Sequence, residues 1–335
     1  MKILIVKTSA LGDIIHTFPV VEYLRNKFPD AEIDWVVERK CSEIVDAHPD
    51  VNSVVIDTKK QPWRYVKPLR RKKYDIVFDL QGNIKSGIIT ALARSKEKVG
   101  FSFKNTAEWP NVLFTKKRYS IPTGKNIRDD YLSVVTQHFG DAIPEKFDGV
   151  SLKIYGEQKT AIDEMLKSPI FENKKIVIVC PGTRWDNKKV SEQCLKDFLK
   201  KIEKEYSFVF VWGDDKEKAE AQRLNETFKH TSTLAEKMSL AAIQNVMAAA
   251  DLVIAMDSMT LHLAGTTTTP TFTVFGPSSP KKYNPQGIQN RCFQGRCPYG
   301  ETFEKRCRKL RTCSTGACIK DITGEHLYGR YIETD

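Results

Sequence analysis

An aspartate stands in the first turn of the chain, at a position where many α/β proteins hold a phosphate. The apolar run Ile3 to Val6 predicts a buried strand, and the segment KTSALGDII after it predicts a glycine-containing turn that leads into a helix. The carboxylate of Asp13 would repel an anion in this turn. Asp13 therefore either caps the helix or serves another chemistry, such as accepting a proton from a substrate hydroxyl.

A second candidate site follows the predicted strand Leu252 to Ala255, which leads into a polar turn and a helix. Backbone N–H groups at the start of that helix, together with its dipole, favour a diphosphate. The alternative is that residues 257–258 only cap the helix. The candidate donor-binding residues of this segment are Asp257, Ser258, Met259, Thr260 and His262.

Two further strand ends carry groups that suit the same ligand. The segment PGTRWDNKK, after the strand Lys175 to Cys180, offers a hydroxyl and cations to phosphate oxygens. The segment GDDKE, after the strand Phe208 to Trp212, offers a carboxylate to a ribose or sugar hydroxyl. Lysine-rich loops are also common as solvated surface, so the hypothesis depends on all three strand ends meeting at one edge of a sheet. The candidates here are Thr183, Arg184, Lys188, Lys189 and Glu217.

Short apolar runs alternate with amphipathic segments along both halves of the chain, which is typical of βαβ units and parallel sheets. We therefore predict an α/β protein with two doubly wound parallel-sheet domains that face each other across a cleft. A polar stretch over 141–157 predicts domains at 1–155 and 156–335. The predicted strands are 2–6, 33–37, 53–56, 76–80, 98–101, 175–180, 208–212, 252–255 and 271–275, and the predicted helices are 14–27, 42–47, 129–139, 191–205, 216–228 and 239–249.

Composition indicates an ordinary globular chain with acidic partners. The 335 residues are 41% hydrophobic and 28% charged, and the formal net charge is +11. The basic residues are not interleaved with aromatic residues, which argues against nucleic-acid binding. Because no signal peptide or membrane span is evident, we expect a cytoplasmic protein with reduced cysteines.

Several blocks occur together in one order from Ile3 to Pro280. They are ILIVKTSALGDIIHTFPVVEYLRNKFPDAEIDWVVE, YDIVFDLQGNIKSG, PGTRWDNKK, WGDDKE, KMSLAAIQNVMAAADLVIAMDSMTLHLAG and TFTVFGPSSP. This series resembles glycosyltransferase family 9, the ADP-heptose:lipopolysaccharide heptosyltransferases, and is most similar to the type I enzymes.

The resemblance implies a GT-B fold of two Rossmann-like domains and an inverting transfer of L-glycero-D-manno-heptose from ADP-heptose to the Kdo of the lipid A inner core. It implies that Asp13 is the catalytic base, that Lys188 contacts the diphosphate and that Glu217 contacts the nucleoside. The remaining donor contacts, around the heptose and the phosphates, fall on Asp257, Ser258 and His262. The resemblance implies no cofactor and no catalytic metal, since cationic side chains would stabilise the diphosphate in place of a metal ion.

The predicted N-terminal domain holds the acceptor candidates. His16 lies three residues after Asp13, where it would orient the base, contact the acceptor or simply pack. Gln81, Asn83 and Lys85 follow a strand end and would meet acceptor hydroxyls or carboxylates, with a plain surface loop as the alternative. The full set of acceptor candidates is Lys7, Ser9, Gly12, His16, Gln81, Asn83 and Lys85.

Two positions depart from the family pattern. Met259 stands where family members usually have glycine, close to the expected phosphates. The segment KKVSEQ replaces a more common Trp-Pro pair after the lysine, which leaves Lys189 as an alternative to Lys188 for the diphosphate contact.

The last part of the chain is rich in cysteine but lacks the paired C-x-x-C spacing of a structural zinc site. It resembles the tails of type II-like members, so the choice between type I and type II stays open, as does the tail's role. The five cysteines are Cys292, Cys297, Cys307, Cys313 and Cys318.

The predicted partners are ADP-heptose, a Kdo-lipid A acceptor and the anionic cytoplasmic face of the inner membrane, with peripheral binding there. One alternative is another family 9 transferase with a different acceptor. The other is a non-catalytic sugar-nucleotide-binding protein, which an intact Asp13 argues against.

Overall fold

The computed structural model describes residues 1–57 and 63–333. The chain divides into two compact units, Met1–Lys153 and Ile154–Asp335. Each unit contains one six-stranded sheet whose strands are all parallel, with helices in the connections. The predicted α/β class with two doubly wound sheets is confirmed.

The first unit is built on a sheet with strand order β3-β2-β1-β4-β5-β6. Its strands are β1 (Lys2–Val6), β2 (Glu32–Glu38), β3 (Asn52–Ile56), β4 (Lys73–Asp79), β5 (Arg94–Phe101) and β6 (Lys117–Tyr119). Its helices are α1 (Leu11–Ile15), α2 (Phe18–Lys27), α3 (Ser42–Asp46), α4 (Trp63–Arg70), α5 (Ile84–Leu92) and α6 (Ile127–Phe139), with 3-10 turns at Arg39–Cys41 and Trp109–Phe114.

The second unit repeats this arrangement, with strand order β12-β11-β10-β7-β8-β9. Its strands are β7 (Lys175–Cys180), β8 (Tyr206–Phe210), β9 (Ser232–Leu234), β10 (Leu252–Met256), β11 (Thr271–Phe275) and β12 (Asn290–Gln294). Its helices are α7 (Glu157–Leu166), α8 (Glu192–Ile202), α9 (Asp215–Thr227), α10 (Leu240–Ala248), α11 (Met259–Ala264), α12 (Pro280–Tyr283), α13 (Ala317–Lys320) and α14 (Gly324–Ile332), with 3-10 turns at Pro169–Phe171 and Asp186–Lys188.

The central strands of both sheets carry apolar side chains on both faces, as expected for parallel sheets that are covered on both sides. The last four residues of β1 are completely buried. All five residues of β10 are at most 3% exposed. Helices from the crossover connections cover both faces of such a sheet, so its strands become continuous apolar runs. Among the described residues, no helix combines the length and the apolar character needed to cross a bilayer.

Both sheets have the Rossmann strand order, in which the direction of winding reverses between the first and fourth strands of the unit. The reversal lies between β1 and β4 in the first unit and between β7 and β10 in the second. In open α/β sheets, ligands bind beyond the carboxyl ends of the strands at this switch point. The residues after Val6, Asp79, Cys180 and Met256 therefore lie where such sheets bind ligands.

One predicted helix is wrong in its extent. The expected helix 14–27 is two helices, α1 and α2, which are separated at His16 and Thr17. Pro19 explains the break, because it lacks the N–H that a continuous helix would bond to the carbonyl of Ile15. Proline is tolerated in the first turn of a new helix, where α2 places it.

Candidate active site

Asp13 lies at the switch point of the first sheet, in the short helix α1 that follows β1. The Tyr131 hydroxyl donates to its Oδ1 over 3.3 Å, and the Ala10 N–H donates to its Oδ2 over 3.4 Å. Both bonds are long for a carboxylate acceptor, and the side chain is only half-buried. Asp13 is therefore oriented by two partners and keeps room to accept a hydrogen bond from a substrate hydroxyl.

Lys7, the first residue after β1, joins this polar cluster. Lys7 is 3% exposed, and its Nζ lies 4.5 Å from the centre of the Tyr131 ring. Burial lowers the pKa of the Lys7 ammonium, while the carboxylates of Asp13 and Asp79 oppose that shift. The cluster thus combines a half-exposed carboxylate, a buried cation and an aromatic ring.

Asp79, which the sequence analysis did not select, organises the loop after β4. It is completely buried, and it accepts hydrogen bonds from the N–H groups of Gln81 and Gly82, from the Ser86 hydroxyl and from the Asn111 amide, at 2.7–3.0 Å. Burial raises the pKa of its carboxyl, and these donors oppose that rise. Asp79 has the character of a structural residue that shapes the loop next to Asp13.

Gln81 ties this loop to the turn that precedes Asp13. Its Oε1 accepts from the N–H groups of Thr8 and Ser9 at 3.1 and 3.3 Å. Asn83 caps helix α5, because its Oδ1 accepts from the N–H three residues later at 2.9 Å. Lys85 is exposed in the first turn of α5. The loops that carry these acceptor candidates are therefore in contact, and their acceptor roles stay predictions.

Two other acceptor candidates lie on helix α1 or at its end. Gly12 is half-buried in the first turn beside Asp13. His16 closes α1 with a helical backbone (φ −62°, ψ −15°), and its N–H donates to the Gly12 carbonyl at 3.0 Å, so it keeps the helical spacing of three residues from Asp13. His16 is 6% exposed, and its role beside Asp13 stays a prediction.

A buried ion pair marks the switch point of the second sheet. Lys188 Nζ lies 2.5 Å from Asp257 Oδ2, and the two residues are 7% and 3% exposed. Burial lowers the pKa of Lys188. Burial alone would raise the pKa of Asp257, but Lys188 and His262 outweigh it and lower that pKa. Lys188 is thus a desolvated cation beside the predicted donor-binding segment rather than a solvated surface lysine.

The neighbouring Lys189 has a different environment. Its Nζ lies 2.7 Å from Oε2 of Glu220, a buried residue of helix α9, while Lys189 itself is half-buried. The structure therefore brings Lys188, and not Lys189, together with Asp257. This difference favours Lys188 over its neighbour for the predicted diphosphate contact.

Glu217 bridges the loops after β7 and β8. Its Oε2 accepts from the Gly213 N–H at 2.7 Å, and its own N–H is capped by Asp214 at 2.9 Å. The carboxylate lies against the backbone of Gly182, where an added Cβ would come within 2.3 Å of Glu217 Cδ. A side chain at position 182 would thus displace Glu217. The adjacent Thr183 hydroxyl donates to the Trp185 carbonyl at 2.7 Å and shapes the same loop.

The remaining donor candidates surround the start of helix α11. This helix has only six residues, so its dipole is small. The hydroxyls of Ser258 and Thr260 lie 2.8 Å apart, and Met259 is half-exposed between them. His262 is 8% exposed and lies close enough to lower the pKa of Asp257. The hydroxyls of this loop and the Lys188 ammonium, which reaches Asp257 from the loop after β7, are groups that suit a phosphate.

Tyr131 and Asn111 contribute to the first cluster from distant parts of the chain, and sequence reasoning missed both. Tyr131 contacts Asp13 from 118 residues away, and Asn111 contacts Asp79 from 32 residues away. No local pattern signals such contacts. Asp79 could have been found from the sequence, because it is the aspartate that ends the apolar run of β4 and begins the segment DLQGN.

All eight cysteines are free thiols, including the five near the end of the chain. Among the residues that the structure describes, no three side chains of His, Cys, Asp or Glu come together as a group that could hold a metal ion. Asn187 anchors the cysteine-rich region by donating to the carbonyls of Leu310 and Cys313 at 3.0 and 2.9 Å. This region therefore packs against the loop that carries Lys188.

Comparison with known families and proteins gives a consistent result. Residues 62–312 match the pattern of glycosyltransferase family 9 (heptosyltransferase). The lipopolysaccharide heptosyltransferase 1 of Pseudomonas aeruginosa is 27% identical over 330 residues, which cover 91% of this chain and 90% of the relative. The protein of the same name from Campylobacter coli is 29% identical over 293 residues, with 82% and 84% covered.

Solved structures agree in fold. The E. coli heptosyltransferase WaaC with ADP superposes with a TM-score of 0.78 at 23% identity, over 100% of both chains. The E. coli ADP-heptose lps heptosyltransferase II superposes with a TM-score of 0.74 at 18% identity, over 100% of this chain and 98% of the other. The two parallel-sheet units therefore form a GT-B fold.

Proposed function

The chain belongs to glycosyltransferase family 9, the heptosyltransferase family, and from that premise we propose that it transfers L-glycero-D-manno-heptose from ADP-heptose to a Kdo residue of lipid A. The observation that carries this proposal is the pair of polar clusters at equivalent switch points. One presents the half-buried carboxylate of Asp13, and the other presents the buried ammonium of Lys188. A transfer assay with these two substrates tests the proposal.

Asp13 is the general base of the proposed reaction. Its carboxylate accepts the proton of an acceptor hydroxyl as the hydroxyl oxygen bonds to the anomeric carbon of heptose. The bond from that carbon to the β-phosphate oxygen breaks, and ADP leaves with the electron pair. Attack on the face opposite to ADP inverts the anomeric configuration in one step. The Tyr131 and Ala10 donors fix the carboxylate for this role.

Lys188 stabilises the departing ADP. Negative charge grows on the phosphate as the glycosidic bond breaks, and a desolvated ammonium interacts with that charge more strongly than a solvated one would. Asp257 holds the ammonium in place before the donor binds. Thr183, Ser258, Met259, Thr260 and His262 complete the proposed phosphate and heptose contacts, and no divalent metal is required.

Glu217 contacts the nucleoside part of the donor. Its Oε2 is held by the Gly213 N–H, and a ribose hydroxyl would donate to Oε1. Because Gly182 has no side chain, the carboxylate can lie at this position between the two loops. The acceptor contacts fall on the loops of the first unit that carry Lys7, Ser9, Gly12, His16, Gln81, Asn83 and Lys85.

We also propose peripheral contact of this cytoplasmic enzyme with an anionic membrane, where a lipid A precursor resides. The segment 102–118 exposes Phe103, Trp109 and Leu113 by 65%, 60% and 70%. Lys104, Lys116 and Lys117 are exposed in the same segment, and the chain carries a net charge of +11. Apolar side chains among lysines suit the interface of an anionic bilayer.

Vesicle sedimentation tests this contact. We expect binding to vesicles that contain phosphatidylglycerol, weaker binding at high salt because the charges are screened, and little binding to pure phosphatidylcholine. Trp109→Ser with Leu113→Ser should lower the bound fraction at least about threefold, whereas Ile288→Ser, at a 99% exposed site of the other unit, should not. Equal binding to both vesicle types, or by both variants, would contradict the contact.

A further inference from the structure

The cysteine-rich segment 292–318 packs against the loop that follows β11. Ser278 and Arg306 form an isolated antiparallel bridge. On either side of it, the Ser279 N–H donates to the Lys305 carbonyl at 2.9 Å, and the Cys307 N–H donates to the Pro277 carbonyl at 2.8 Å. These backbone contacts fix the position of Arg306 on the loop.

The same loop borders the Lys188–Asp257 pair. Ser278 is completely buried and lies close enough to Asp257 to help lower the pKa of that carboxyl. Strand β11 pairs in parallel with β10, with Val274 beside Met256, so the loop after β11, to which Arg306 is bridged, lies next to the loop that begins at Asp257. The charge of Arg306 also adds to the effect of burial in lowering the pKa of Lys188. The cysteine-rich segment therefore brings a second cation to the predicted donor site.

An aromatic platform holds the Arg306 side chain. Its guanidinium carbon lies 4.7 Å from the centre of the Tyr283 ring, and Tyr283 is 9% exposed on helix α12. Stacking on a buried ring limits the side-chain freedom of an arginine. Arg306 itself is exposed, so its planar array of N–H donors remains available to a ligand.

The charges around Lys188 and Arg306 favour the binding of an anion. Lys188 and Arg306 repel each other, and Asp257 compensates only one of these two positive charges. A diphosphate would relieve the repulsion, and a guanidinium fork matches phosphate oxygens in geometry. We propose that Arg306 is a further donor-binding residue, which contacts the diphosphate of the nucleotide sugar and gives the cysteine-rich segment a role in donor binding. This assignment rests on the proposed ADP-linked donor.

Calorimetric titration of the full chain with ADP and with adenosine tests the assignment. Arg306→Ala should weaken ADP binding by about 10-fold or more, because charged hydrogen bonds contribute about 1.5–3 kcal/mol, and should leave adenosine binding unchanged. Arg306→Lys should recover part of the loss. Arg308→Ala, at an exposed position two residues away, is the matched control and should bind ADP as the wild type does.

Two outcomes would overturn the assignment alone: unchanged ADP affinity in Arg306→Ala, or equal losses for ADP and adenosine, which would indicate a general disturbance of the loop. Thermal unfolding of each variant reports directly on such a disturbance. Absence of ADP binding by the wild type would overturn the proposed donor, and the assignment with it.

Discussion

Replacing Asp13 by asparagine is expected to lower kcat for heptosyl transfer by about 10³-fold, within the range that general base catalysis contributes. The amide keeps the size of the side chain. Its oxygen can still accept from the Ala10 N–H and its NH2 group can donate to the Tyr131 hydroxyl oxygen, so the fold of α1 should persist. It cannot accept the proton of the acceptor hydroxyl. ADP-heptose affinity should stay within about twofold, since Asp13 is not among the proposed donor contacts.

Steady-state kinetics with separate titration of each substrate measures this effect. Asp30→Asn is the matched control. Asp30 is exposed in the turn before β2, at the amino-terminal ends of the strands, whereas Asp13 lies beyond their carboxyl ends. It should leave kcat unchanged. A kcat for Asp13→Asn within about threefold of the wild type would contradict the assignment of Asp13 as the base.

The second large effect is expected at Lys188. Lys188→Met should leave the carboxylate of Asp257 buried without its cation, which costs about 3–5 kcal/mol in the free energy of unfolding. Lys188→Met combined with Asp257→Asn should regain most of that stability. The double variant should still bind ADP-heptose at least about 10-fold more weakly than Asp257→Asn alone, because the ammonium that meets the diphosphate is gone.

Chemical denaturation and donor titration of the three variants separate stability from binding. Lys189→Met is the control, since Lys189 pairs with Glu220 and not with Asp257. It should leave donor affinity unchanged. If the double variant binds ADP-heptose as well as Asp257→Asn does, Lys188 has only a structural role.

The architecture was accessible from the sequence because its central strands are strong local signals. The bounds predicted for β1, β7 and β11 agree with the structure, since each is an apolar run that ends in polar turn residues. Such runs predict buried parallel strands, and strand ends locate the sites. This logic predicts Asp13 and Asp257 just beyond strand ends, where the structure has them, and their roles stay predictions.

The remaining features depend on contacts that no short segment encodes. The edge strands β6 and β9 have only three residues each, and β12 is half-polar, so these three strands lack an apolar run and were not predicted. Tyr131 reaches Asp13 only because the fold brings α6 next to α1. Lys188 and Lys189 are adjacent and identical in type, and only their different partners distinguish them.

The proposed transfer is tested most directly by incubating the wild type and Asp13→Asn with ADP-heptose and Kdo-lipid A, with and without excess chelator. Mass spectrometry of the acceptor and quantification of released ADP follow both products. We expect one heptose added per ADP released, an inverted anomeric linkage, equal rates with chelator and loss of transfer in Asp13→Asn. Failure of the wild type to add heptose to the Kdo acceptor would contradict the proposed function, and a rate that collapses in chelator would contradict the metal-independent role of Lys188.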